Sequence, residues 1–331
     1  MFKYNISDND FHTEIIAVGG GKGGVGKSII AANIAIGLAL EGERVIIVDA
    51  DLGAANLHAI LGIKSPPLGL KDFIFDGFPL KAVLIDTGVK NLKFISGAGD
   101  IPGISNIPFQ VKQKLIHHIK SLTADYIVMD LAPGVSYNAI DFFNITDNGI
   151  LVTTPEVTSV INTYSYIKGT VYRRLINSFK DNGEIRELIE VSKFPDNRFG
   201  IHNLRNLKYR LGKFDDAYMD TMDNVVNNFR PKLIVNKVMR ARDINVAENI
   251  KMLVKKNLGI EVEVLGYVPE SEVVKKSVAN MKPFIISAPY DKASISVKEI
   301  VSKLSNLKFY MERSSESASP QNSECLGAYH G

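Results

Sequence analysis

Gly19-Gly20-Gly21-Lys22-Gly23-Gly24-Val25-Gly26-Lys27-Ser28 is the stretch on which the fold turns. From Gly21 it fits G-x-x-x-x-G-K-[ST], the pattern of a phosphate-binding loop. Before it, Glu14-Ile15-Ile16-Ala17-Val18 is a short apolar run with strand character. After it, Ile29 to Leu40 is rich in Ala, Ile and Leu and reads as a buried helix that stops before Gly42. The pattern thus sits between a strand and a helix, the context that makes it a site. Glycines let the backbone curl so that successive N–H groups face phosphate oxygens. The helix N-terminus adds its positive dipole end. Lys27 is spaced to reach the β- and γ-phosphates, and the Ser28 hydroxyl to ligate Mg²⁺.

Composition sets bounds around this loop. The chain has 331 residues, 45% hydrophobic and 23% charged, enough for one large α/β domain or two small ones. A net charge of +3 does not imply nucleic acid by itself. With one cysteine, Cys325, the chain has neither an internal disulfide nor a cysteine-only metal site, which suits a reducing compartment. No run of 18 apolar residues exists and the N-terminus lacks a signal-type apolar core, so the expected location is cytoplasmic.

Further apolar runs end in acids. Arg44 to Asp49 reads as a parallel strand buried on both faces, and Asp51 follows two residues later. Ligands of open α/β sheets bind outside the carboxyl ends of the strands, which would bring Asp49 and Asp51 beside the loop. The two acids could equally cap a turn before the next helix, with Asn56 beside them. Tyr126 to Asp130 is a second acid-ended strand. Leu92 to Ser96, Gly149 to Thr154, Lys232 to Val238 and Val262 to Val268 continue the alternation with helices. The expected fold is one α/β domain, with a mainly parallel sheet of roughly seven or eight strands and helices on both faces. Residues 1–13 read as a flexible N-terminus, 14–310 as the domain, 172–230 as a helical insertion and 311–331 as a disordered tail. His117 and His118 are adjacent on a helix and point to different faces, which argues against a metal role. Around Tyr209, the cluster Arg205, Lys208, Arg210 and Lys213 reads as a solvated face, a partner-docking surface, or a patch for DNA or anionic lipid. Ile300 to Met311 suits covering the sheet, with membrane insertion as the other reading.

Lys22 goes beyond an ordinary loop. It gives KGGVGKS two lysines, and here the sequence resembles the MinD/ParA ATPases with the deviant Walker A motif. The resemblance implies that Lys22 reaches across a dimer interface to the nucleotide of the other subunit, a cation supplied in trans. It implies that Asp49, in the D-x-D-x-G element of the first switch, sits near Mg²⁺, and that Asp51 orients the attacking water. Asp130 takes the Walker B position and would hold Mg²⁺ through water. The second switch follows as Leu131-Ala132-Pro133-Gly134, with Leu131 where many relatives have a small residue. Asn236 would contact adenine, and the turn at Pro269 would pack over the base from the other side.

The implied catalytic set is Lys22, Lys27 and Asp51. The implied nucleotide-binding set is Gly21, Lys22, Gly23, Gly24, Val25, Gly26, Lys27, Ser28, Asn236 and Pro269, and the metal set is Ser28, Asp49 and Asp130. Val152 to Val160 (VTTPEVTSV) and Asp141-Phe142-Phe143 are similar to the MinD- or FlhG/FleN-like branch; the Thr and Ser residues there could also simply cap a helix. The implied activity is slow, partner-stimulated ATP hydrolysis with Mg²⁺. It would work as an ATP-dependent homodimer switch that places or counts a structure such as a division site or flagella. An activating protein partner is implied, with contact to DNA or to the inner face of the cell membrane left open. A partition ATPase, an ATP-dependent ligase or synthase, and a scaffold without turnover are the competing classes. Iron–sulfur carriers on this scaffold need paired cysteines, which one cysteine does not supply.

Overall fold

Strands rich in Val and Ile are separated by helices long enough to cross back over them, and that alternation builds a layered α/β domain. The computed structural model describes residues 13–97, 107–194 and 196–317. In chain order come β1 (Glu14–Gly19), α1 (Lys27–Leu40), β2 (Val45–Ala50), α2 (Leu57–Ile60), α3 (Leu70–Phe75), β3 (Ile85–Asp86) and β4 (Leu92–Ile95). Next are α4 (Phe109–Lys120), β5 (Tyr126–Leu131), α5 (Tyr137–Phe143), β6 (Ile150–Thr153) and α6 (Val157–Ser178). After α7 (Gly183–Ser192), α8 (Leu204–Leu211) and α9 (Asp216–Asn228) the sheet resumes with β7 (Lys232–Val238), α10 (Asn245–Leu258) and β8 (Glu263–Pro269). The chain closes with α11 (Glu272–Ala279), α12 (Phe284–Ser287) and α13 (Lys292–Ser317).

The eight strands lie in the order β3-β4-β2-β5-β1-β6-β7-β8, all parallel except β3, which pairs antiparallel with β4 at one edge. Sequence reading passes over β3, whose two residues are too few for a periodic signal. Strand β5 lies between β1 and β2, so Asp49 is one strand further from the loop than direct adjacency would put it. Its register partner is Asp130. The sheet is packed on both faces. One core holds Ile16, Val18, Ile47 and Val128 against α1 and α13; the other holds Ile127, Met129 and Leu151 against α4, α5 and α6. Helix α1 is apolar all round because it is sandwiched, and Gly37 near its C-terminal end is a close approach: a Cβ there would lie 2.7 Å from Val301 Cγ2.

Two boundaries differ from the sequence reading. Helix α6 runs to Ser178, so residue 172, where the sequence reading starts a helical insertion, lies inside a helix that begins at Val157. Helix α13 extends through Ser317, past residue 311 where the tail is expected, because no Gly or Pro interrupts 292–317. Residues 1–12 and 318–331, with Cys325, lie outside the described residues, as do the side chains of Leu307 and Phe309. Ile300, Val301 and Leu304 are buried against the sheet and α1, so this part of the helix covers the core. Ile300 fills the space over Gly266, where a Cβ would come within 2.8 Å of its Cγ1. Ile300→Ala should therefore cost about 2–4 kcal/mol of stability in urea unfolding without any lipid. A change below about 0.5 kcal/mol would show that the helix is not part of the core.

Candidate nucleotide site

The loop leaves β1 at the centre of the sheet, and its glycines are there for space as well as for φ. A Cβ on Gly21 would lie 2.3 Å from the Asn162 carbonyl oxygen of α6, and one on Gly26, at φ 90°, 2.3 Å from Asn236 Nδ2. Val25 is buried and ties the loop to the core. Two side chains from the end of β7 hold the loop from outside. Asn236 Nδ2 donates to the Val25 carbonyl at 2.8 Å, and Lys237 Nζ donates to the Gly24 carbonyl at 2.8 Å. From the other side the Gly134 N–H donates to the Gly20 carbonyl at 3.0 Å, coupling the segment after β5 to the loop.

Inside this frame the charged groups converge. Lys27 is buried, and its Nζ lies 3.4 Å from Asp130 Oδ1. Ser28, the next residue, faces the same carboxylate. Burial raises the Asp130 carboxyl above its ordinary value, and Lys27 and Ser28 oppose the rise without cancelling it. Asp49 is raised further, by burial first and then by the neighbouring Asp130 charge. Its two oxygens accept the N–H groups of Asp51 at 3.2 Å and Leu57 at 3.1 Å, and Asp51 Oδ1 accepts the N–H of Ala54 at 3.2 Å. Both acids therefore cap the turn that leads into α2. Asn56 precedes that helix without a side-chain cap bond.

Among the described residues no group of three or more His, Cys, Asp or Glu side chains forms a metal cage. Mg²⁺ does not require one: it binds through one or two carboxylates, waters and substrate phosphates. Ser28, Asp130 and Asp49 lie where that arrangement would be completed by phosphate oxygens, and the glycine cradle with Lys27 fits the phosphates.

Lys22 stands apart from these groups. Its Nζ lies on Glu156 Oε2 at 2.8 Å and on Thr158 Oγ1 at 3.3 Å, at the start of α6. The Thr and Ser residues of that segment do not cap α6 through their side chains. Instead Thr154 and Ser159 share a hydroxyl bond of 2.7 Å, and Thr163 donates to Thr153 at 3.0 Å, joining β6 to α6. Asn236 lies near the end of β7 and Pro269 ends the adjacent β8, and one of the two Asn236 amide N–H groups is given to the loop. A cleft of about 430 Å³ beside them is lined by Thr154, Pro155, Glu156, Lys237, Met239, Arg240, Asp243 and Glu270. Sequence reading misses Glu156 and Lys237, since neither belongs to a local pattern. It also misses the role of Asp141, the acid of the DFF phrase. Arg173 Nε donates to Asp141 Oδ1 at 2.7 Å, and buried Lys112 forms a second ion pair with the same carboxylate, fixing α4, α5 and α6 together behind the second switch.

The profile of the ParA family, described as the NUBPL iron-transfer P-loop NTPase, matches residues 12–168. The septum site-determining protein MinD of Buchnera aphidicola subsp. Schizaphis graminum is 31% identical over 200 residues, covering 59% of this chain and 73% of that protein. The chain belongs to the ParA/MinD family of P-loop ATPases. Along nearly its whole length it is also similar to the antiactivator FleN of Pseudomonas aeruginosa, at 26% identity over 312 residues, with 91% of this chain and 92% of that protein covered. A MinD from Pyrococcus horikoshii OT3, solved in complex with Mg-ADP, shares the fold with a TM-score of 0.60 at 20% identity, covering 90% of this chain and 98% of that one. The ParA/MinD assignment agrees with the loop, its strand–helix setting and the acid-ended strands β2 and β5. The iron-transfer description finds no paired cysteines in this chain.

The raised carboxyls have a consequence for stability. A carboxyl whose folded value lies above its unfolded one stabilises the fold while protonated and loses that contribution as pH rises through the folded value. Asp49 is in this class. The urea midpoint of the nucleotide-free protein should fall as pH rises above the ordinary carboxylate range, and the fall should be shallower in Asp49→Asn. An unchanged slope would show that Asp49 keeps its charge at no cost.

Proposed function

We propose that the protein is a MinD-like ATPase switch that binds ATP with Mg²⁺, pairs with a second copy and is reset by hydrolysis. The reading rests above all on the position of Lys22. The loop already has Lys27 for the phosphates, and the Lys22 ammonium lies outside the cradle, on Glu156 and Thr158. Both partners of the Lys22–Glu156 pair are solvent-exposed, at 43% and 61% of their side chains. An exposed pair of this kind is weak, so the lysine can exchange it for the phosphates of a facing copy.

The roles assigned to the site follow from this chain's own groups. The N–H groups of Gly21 to Ser28 and the Lys27 ammonium hold the phosphates. Ser28, Asp49 and Asp130 hold Mg²⁺ directly or through its waters. When bound, the cation neutralises the charge that builds on the β- and γ-phosphate oxygens. Asp51 orients the attacking water, and Lys22 of each copy stabilises the charge on the other's triphosphate. Asn236 and Pro269 border the base. Loss of the γ-phosphate contacts releases the segments after β2 and β5, and the pair reopens. Hydrolysis is slow in the single copy, because the trans lysine is missing, and rises when a protein partner holds the pair in its active form. FleN and MinD point to the output: control of the place or number of a structure such as flagella or a division site.

Among the described residues no helix is long and apolar enough to cross a membrane. The basic cluster on and just after α8 is partly engaged within the chain. Lys208 pairs with Asp223, Arg210 donates to the Phe199 carbonyl, and Lys213 lies over the Tyr209 ring.

Asp51→Ala should accumulate as a dimer with Mg-ATP, visible by light scattering; a monomer under those conditions would remove Asp51 from hydrolysis. Lys22→Ala should bind ATP within about twofold of the parent yet lose hydrolysis by a factor on the order of 10³, the scale of cations supplied in trans. Full activity in that variant would make Lys22 an ordinary surface residue and end the dimer reading.

A further inference from the structure

Three described residues other than glycine have φ in the left-handed region, and one of them, Lys237 at φ 59°, borders the phosphate loop. A Cβ is strained in that region. Lys237 sits where the β7–β8 register breaks, between Asn236 and Val238. In a regular strand successive side chains point to opposite faces. Here Asn236 and Lys237 are successive, and both donate to the same loop, one to the Val25 carbonyl and one to the Gly24 carbonyl, each at 2.8 Å. The irregularity re-aims the second side chain, as bulges beside sites do.

The consequence lies in peptide geometry. A trans peptide is planar, with C=O and N–H pointing in opposite directions. Holding the Gly24 carbonyl toward β7 therefore aims the Val25 N–H the other way, into the cradle, and holding the Val25 carbonyl does the same for the Gly26 N–H. Gly24 itself, at φ 78° and with nothing within 4 Å of a notional Cβ, has no packing of its own to fix this orientation. We propose that Lys237 is a positioning residue of the phosphate loop: the strained end of β7 aims its ammonium at the Gly24 carbonyl and so presents the Val25 N–H to a bound phosphate. This rests on the nucleotide reading of the loop but adds a residue outside its motif.

Lys237→Ala, Lys237→Gly and Lys237→Arg separate the ammonium from the backbone strain. Both Lys237→Ala and Lys237→Gly should weaken Mg-ADP binding in calorimetry by roughly three- to tenfold, the worth of one such hydrogen bond. In the nucleotide-free protein both should speed hydrogen exchange at the Val25 and Gly26 amides. Lys237→Gly should melt above Lys237→Ala, because glycine accepts this φ. Lys237→Arg should recover most of the affinity. Parent-like affinity in Lys237→Gly would assign the effect to strain and overturn the proposal, as would unchanged exchange in both truncations. If no chain, the parent included, binds Mg-ADP, the nucleotide reading falls, and the exchange measurement still decides whether Lys237 holds the loop.

Discussion

Two carboxylates buried side by side at the carboxyl edge of a parallel sheet are the constraint around which this site is arranged. Asp49 and Asp130 are register partners on β2 and β5, and both are almost fully buried. Burying one anion is costly, and burying two together is more so. The chain offsets part of this locally: Lys27 and Ser28 face Asp130, and the turn after β2 gives two backbone N–H groups to Asp49. The remaining imbalance suits a site completed by a divalent cation carrying its own phosphate ligands.

The loop that brings the phosphates is held by its neighbours as much as by its own glycines. Helix α6 approaches so closely that Gly21 has no room for a side chain. Strand β7 takes two loop carbonyls, and the segment after β5 takes a third at Gly20. A change at any of these contacts bears on the shape of the loop. The buried hydroxyls of Thr153, Thr154, Ser159 and Thr163 then stiffen the step from β6 to α6. That step carries Glu156, on which the spare lysine rests. The Asp141–Arg173–Lys112 cluster gives α5 a similarly firm seat behind the second switch. Rigid elements therefore surround a few exposed, exchangeable contacts, which is the division of labour a nucleotide switch needs.

Much of this was legible in the chain. A strand, a glycine-rich loop and an apolar helix form a local unit whose spacing alone specifies the chemistry, and strands buried on both faces show themselves as unbroken Val and Ile runs. Asp49 and Asp130, one residue before the ends of β2 and β5, fall out of the same runs. The competing reading of Asp49 and Asp51 as turn caps was also visible, and the structure shows that capping geometry, with Asp49 also set against Asp130. Glu156, Lys237 and Asp141 were not legible as contacts, because each acts on a residue far away in sequence: Lys22, Gly24, and the pair Lys112 and Arg173.

Local periodicity and motif spacing specified every strand but the two-residue β3, where the glycine-rich loop lay, and which lysines and strand-end acids stood around it, since those properties depend on neighbours within one turn or one hairpin. The order of the strands was a matter of packing. It placed β5 between β1 and β2, set Asp49 against Asp130, and turned the end of β7 onto the loop. Contacts of that range form only when the two faces of the sheet are covered together, by α1 and α13 on one side and by α4, α5 and α6 on the other. No stretch of the chain read alone contains that information.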